Sequence, residues 1–122
     1  MYKLIIQTRF SAAHFLPDYP GGCARVHGHN WKVIVTFASK TIDENGMVYD
    51  LVRLKSIVDE CVEPFDHRVI NEVAPFDDLS PTSENLARHV FETIARRVPI
   101  KVESVEIAET DDYSVTYSDH DD

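Results

Sequence analysis

Residues 23–37, CARVHGHNWKVIVTF, decide how the rest of the chain is read. The second half, Trp31-Lys32-Val33-Ile34-Val35-Thr36-Phe37, is dense in β-branched and aromatic side chains and predicts a strand. Just ahead of it, His27 and His29 stand two apart, a spacing that in extended chain projects both imidazoles from one face. Gly28 is expected to leave the gap between them unobstructed. Residues 2–9, YKLIIQTR, alternate well enough for a first strand paired with the second across a loop containing Gly and Pro. At its end, Phe10-Ser11-Ala12-Ala13-His14 would bring a third imidazole to the other two. Three neutral nitrogen donors with one open position are a common catalytic zinc arrangement, whereas closed structural sites take four ligands and more cysteine. Cys23 is then either a fourth ligand or a reactive thiol beside the metal, and spacing leaves both open. A cupin-type oxygenase would need a carboxylate soon after His-x-His, and residues 30–36 hold none.

Beyond this stretch, Asp43-Glu44-Asn45-Gly46 carries a turn signal leading into a short extended piece, Met47-Val48-Tyr49. Asp50 reads as a helix cap. Leu51, Leu54, Val58, Cys61 and Val62 recur at steps of three and four, giving one apolar face, and Pro64 stops the helix. A second helix starts at Pro81-Thr82-Ser83-Glu84, with Glu84 assigned to capping and dipole stabilisation, repeats through Leu86, Val90, Ile94 and Val98, and ends at Pro99. Residues 102–109 and 113–118 read as strands joined by Thr110-Asp111-Asp112, followed by a frayed tail over residues 119–122. The order ββααββ predicts the α+β class: an antiparallel four-stranded sheet with two helices on one face.

The chain of 122 residues reads as a single domain, residues 1–122, large enough to bury a core without disulfides. Of its two cysteines, Cys61 falls on an apolar helix face and is read as core. Twelve basic against twenty-one acidic side chains, a formal charge of −9, argue against nucleic acid or an anionic membrane as partner and favour a small molecule. No apolar run approaches the ~20 residues of a membrane helix, and the N-terminus lacks a signal-peptide pattern, so a cytoplasmic protein is expected. Phe65-Asp66-His67 sets a carboxylate beside an imidazole. It is either the kind of pair that fixes a histidine's tautomer or two solvated loop side chains. Glu109, ending an apolar alternation, is either a bidentate acceptor for an amidine-like ring edge or a surface glutamate.

Taken together, Phe10-Ser11-Ala12-Ala13-His14, Cys23-x-x-x-His27-Gly28-His29, Phe65-Asp66-His67, Pro81-Thr82-Ser83-Glu84-Asn85-Leu86 and Glu109-Thr110 resemble the 6-pyruvoyl-tetrahydropterin synthase superfamily. The three residues between Cys23 and His27, and the short chain, look most like its 6-carboxy-5,6,7,8-tetrahydropterin synthases of queuosine biosynthesis. The resemblance implies a tunnelling fold, in which the sheets of several subunits close into a homo-oligomeric barrel with active sites at subunit interfaces. It implies zinc on His14, His27 and His29, a catalytic Cys23, an acid/base pair in Asp66 and His67, and a pterin anchor in Glu109, with Thr110 next to it. Arg25, beside Cys23, is the candidate contact for a triphosphate. The implied reaction converts 7,8-dihydroneopterin triphosphate to 6-carboxytetrahydropterin, releasing acetaldehyde and triphosphate. The alternatives are a pyruvoyl-tetrahydropterin synthase, which eliminates triphosphate and rearranges the side chain, and a non-catalytic zinc-stabilised binding protein with Cys23 as fourth ligand.

Overall fold

The alternation read at residues 31–37 belongs to a longer strand. In the computed structural model, which describes residues 1–119, β1 (Tyr2–His14) pairs antiparallel with β2 (His27–Ser39) without a break, from Tyr2 opposite Ser39 to His14 opposite His27. Both strands outrun their apolar segments because each supplies the other's ladder through the weakly strand-forming Ser11-Ala12-Ala13 and Gly28-His29-Asn30. β3 (Lys101–Thr110) pairs with β2 and β4 (Tyr113–Tyr117) with β3, giving an all-antiparallel sheet in the order β1-β2-β3-β4. The expected frayed tail lies, beyond Asp119, outside the described residues.

Helix α1 (Leu51–Val62) starts where Asp50 accepts the amides of Val52 and Arg53 at 2.9 and 3.3 Å, as its cap reading requires. Its apolar face is rotated from the expected one. Leu51 is 54% exposed, and Ile57, at 1%, joins Leu54, Val58, Cys61 and Val62 inside. Met47-Val48-Tyr49 forms no strand. Asp43 draws that segment into a closed turn, its carboxylate accepting the Asn45 and Met47 amides and its own amide bonding the Met47 carbonyl at 2.8 Å. Gly46 takes the φ of 78° that this turn requires.

Helix α2 (Ser83–Ala95) is capped by Thr82, whose hydroxyl accepts the Asn85 amide at 3.1 Å. It ends at Ala95 rather than reaching Val98, because the ring of Pro99 would collide with the Ala95 carbonyl in a continued helix. Val98 still packs on the core from outside the helix. Both helices cover one sheet face, on which Phe10, Trp31, Val33, Val35 and Phe37 are almost wholly buried. None of the described helices is long and apolar enough to cross a membrane.

The rotated face of α1 has a measurable consequence. Leu54→Ala should lower unfolding free energy by about 2–5 kcal/mol, whereas Leu51→Ala should change it by less than about 0.5 kcal/mol. Denaturant titration of both variants checks this, and equal losses would contradict the assigned face.

Candidate active site

The β1–β2 register brings the three imidazoles together. His14 lies opposite His27 and Ala12 opposite His29, so the two-residue step along each strand keeps every ring on the helix-covered side, next to buried Trp31. Ring centroids stand 4.6 Å (His14–His27), 5.2 Å (His14–His29) and 5.0 Å (His27–His29) apart, and one nitrogen from each ring lies within 4.8 Å of the other two. His14 Nδ1 is 2.8 Å from the Pro81 carbonyl and His27 Nδ1 is 2.6 Å from the Arg25 carbonyl. A carbonyl only accepts, so both Nδ1 atoms carry the proton and both Nε2 atoms keep a free lone pair. His14 Nε2 and His29 Nε2 are buried with no hydrogen-bond partner. Lone pairs left so in one cluster form a donor set suited to a divalent transition-metal ion. Burial holds the His14 and His29 imidazoles below the ordinary histidine value, which favours the neutral, ligating form.

Cys23 is not one of these donors. It sits partly exposed in a one-turn 3-10 helix (Gly22–Ala24), tied to the end of β1 by its carbonyl, which accepts the Leu16 amide at 2.7 Å. Among the described residues, the group close enough to hold an ion is His14, His27 and His29. Arg25 turns its side chain to solvent and serves the site through the carbonyl that holds His27. Glu109, at the end of β3, accepts the Ser83 hydroxyl on one carboxylate oxygen and places the other 3.5 Å from His29 Nε2. Thr110 accepts the Asp112 amide at 3.1 Å and closes the β3–β4 turn. The sequence reading missed Ser83 and the Pro81 carbonyl as parts of the site, having used residues 81–84 to start α2 and, within residues 81–86, as a family motif without a site role. That both immediate neighbours of its N-cap touch site residues is visible only in the fold.

Asp66 and His67 are brought together at the outer edge of β1. Asp66 accepts the Ser11 amide at 3.0 Å and lies 3.0 Å from His67 Nδ1, while the His67 amide donates to the Ser11 carbonyl at 2.6 Å. The Ser11 amide, then the His67 ring, hold the Asp66 carboxyl below its usual range. His67 has φ 59°, in the left-handed region that side chains seldom occupy, and its ring stays largely exposed. It borders a cavity of about 460 Å³ lined by Ser11, Ala13, Gly28 and Asn30 from the sheet's uncovered face together with Ala12 and His29 from the other. Gly28 therefore does not clear a gap between imidazoles. A Cβ there would meet only the Ala12 carbonyl oxygen at 3.9 Å, an ordinary contact.

Burial also lowers the His89 imidazole, so His14, His29 and His89 all take up protons less readily folded than unfolded. The unfolded chain then binds more protons as pH falls below about 6.5, and stability contributed above that value is lost towards the lower folded values. The metal-free protein should show a lower urea midpoint at pH 5.5 than at pH 7.5. An equal or higher midpoint at pH 5.5 would contradict the burial of these rings.

Comparison with known proteins follows the same lines. The chain is 44% identical over 107 residues to a provisionally named 6-carboxy-5,6,7,8-tetrahydropterin synthase of Archaeoglobus fulgidus, covering 88% of this chain and 87% of that one. It is 34% identical over 123 residues to the 6-pyruvoyl tetrahydrobiopterin synthase of Pongo abelii, covering 88% and 85%. The solved structure of Caenorhabditis elegans 6-pyruvoyl tetrahydropterin synthase superposes with a TM-score of 0.88 at 29% identity, covering 98% of this chain and 96% of that one. The four-stranded antiparallel sheet with its two helices is thus the tunnelling fold. With residues 3–120 matching the family's sequence profile, the chain belongs to the 6-pyruvoyl tetrahydropterin synthase family.

Proposed function

We propose that the protein is a zinc-dependent 6-carboxy-5,6,7,8-tetrahydropterin synthase, a lyase. It would convert 7,8-dihydroneopterin triphosphate to 6-carboxytetrahydropterin with release of acetaldehyde and triphosphate, on the route to queuosine. The observation that carries this reading is the cluster of His14, His27 and His29, with two Nδ1 atoms tied to backbone carbonyls and two buried Nε2 atoms unpartnered. The carboxy product is favoured over the pyruvoyl one by the 44% identical relative and by the short Cys23–His27 spacing.

His14, His27 and His29 would hold the zinc, which supplies a Lewis acid for the oxygens of the substrate side chain. Cys23, close by in sequence and outside the ligand group, would act as the thiolate base at a C–H bond of the substrate side chain. Glu109 would grip the donor edge of the pyrimidine ring through charge-assisted hydrogen bonds and fix the reacting carbons. His67, with its proton held by Asp66, would supply the matching proton. His67 stands largely exposed at the outer edge of β1 and outside the group of three imidazoles, which supports a site completed by the His67 of a neighbouring subunit. A barrel of subunits would also pair the open edges of β1 and β4. Arg25, exposed beside Cys23, is the proposed triphosphate contact.

Incubating zinc-loaded protein with dihydroneopterin triphosphate should yield acetaldehyde and 6-carboxytetrahydropterin in equal amounts. Triphosphate released without acetaldehyde would make it a pyruvoyl synthase, and absence of turnover would leave the zinc-stabilised binding protein. Cys23→Ala should keep its metal and lose turnover. Unfolded together with inactive His67→Ala and reassembled, it should regain part of the activity. Verified mixed oligomers as inactive as either parent would place both residues in the site of a single subunit.

A further inference from the structure

Glu109 touches the imidazole cluster at one point only. One carboxylate oxygen is on the Ser83 hydroxyl, and the other lies 3.5 Å from His29 Nε2, a buried nitrogen without a hydrogen-bond partner. Two ligands of a tetrahedral zinc with bonds of about 2.0–2.1 Å stand about 3.3–3.4 Å apart. Relative to His29, then, the free oxygen of Glu109 already has the spacing of a fourth ligand, and carboxylate oxygen is a regular zinc ligand. It nevertheless stands outside the group whose donor atoms all lie within 4.8 Å of one another. A small further swing would close the metal's open position and remove the carboxylate from the pterin.

What opposes that swing is Ser83. This first residue of α2 is 7% exposed, and the backbone on its N-terminal side is fixed by the Thr82 cap and by the Pro81 carbonyl bonded to His14. A serine hydroxyl reaches only one bond beyond Cβ, so from a fixed helix start it cannot follow a moving carboxylate.

We propose that Ser83 is a positioning residue that keeps Glu109 off the metal, leaving one coordination position open and the carboxylate free for substrate. This rests on reading the imidazole cluster as a zinc site and Glu109 as the pterin anchor. The hydroxyl is the operative group, so threonine should replace serine and alanine or valine should not. Loss of the hydroxyl converts a three-imidazole site into a three-imidazole, one-carboxylate site.

Cobalt(II) bound in place of zinc reports this through its visible ligand-field bands and its rate of release to a chelator, both read without substrate. S83A and S83V should shift the bands and slow release on the order of tenfold, while S83T should match the unaltered protein. S83A/E109Q should return both readouts to the unaltered values, since the neutral amide is a poor ligand. Bands and release unchanged in folded S83A or S83V would overturn the proposal, as would a shift that persists in S83A/E109Q. If the unaltered protein takes up no cobalt, or His27→Ala takes it up equally well, the metal reading itself fails and the proposal with it. If E109Q binds a pterin product as tightly as the unaltered protein, the anchor reading fails, while the bands still decide whether Ser83 restrains Glu109.

Discussion

The register between β1 and β2 is the constraint on which the site depends. With Ala12 opposite His29 and His14 opposite His27, the imidazoles share the helix-covered face, and a slip of one residue would turn one strand's contribution to the opposite side. The core enforces the register. Phe10 stacks on Trp31 with centroids 5.9 Å apart and planes 6° from parallel, the Trp31 indole donates to the Ala12 carbonyl at 3.1 Å, and Val33, Val35 and Phe37 continue the same buried row. The polar cluster is thus the end of an apolar stripe. Hydrophobic packing sets where the histidines stand, and backbone carbonyls set which nitrogen His14 and His27 present.

Two further segments converge on this pair of strands from opposite sides. The start of α2 reaches the helix-covered side, where the Pro81 carbonyl meets His14 and the Ser83 hydroxyl meets Glu109. Residues 66–69 run along the outer edge of β1, where Asp66 and His67 satisfy the Ser11 backbone, the Arg68 carbonyl accepts the Ala13 amide, and Val69 bridges Ala13 in parallel. That short addition covers the last part of an edge whose earlier part stays open, and it presents the largely exposed ring of His67 outside the group of three imidazoles. A single subunit therefore carries both halves of the proposed chemistry but does not bring His67 into the imidazole cluster. This is the arrangement expected of a site assembled between subunits.

Much of this could be read from residue order. Burial of one face imposes a period of two, so residues 31–37 declared a strand, and Asp50 and Thr82 declared helix starts because a side-chain oxygen there satisfies otherwise orphaned amides. His27 and His29 were legible for the same geometric reason. Strand ends were not, because Ser11-Ala12-Ala13 and Gly28-His29-Asn30 are extended by each other rather than by propensity. Leu51 and Ile57 exchanged places because steps of three and four suit either residue, and only packing against the sheet chooses. The carbonyls of Pro81 and Arg25 carry no side-chain signature, and the aim of His67 comes from a backbone angle of 59° that no residue pattern announces.

The central claim is that the strand register builds a metal centre from three Nε2 atoms and keeps Cys23 out of it. Anomalous diffraction at the zinc edge from crystals of the zinc-loaded protein measures this directly. The account predicts a single strong peak about 2.0–2.1 Å from Nε2 of His14, His27 and His29, with the Nδ1 atoms of His14 and His27 still on the Pro81 and Arg25 carbonyls. A peak elsewhere, ligation through Nδ1, or Cys23 Sγ at bonding distance would contradict it.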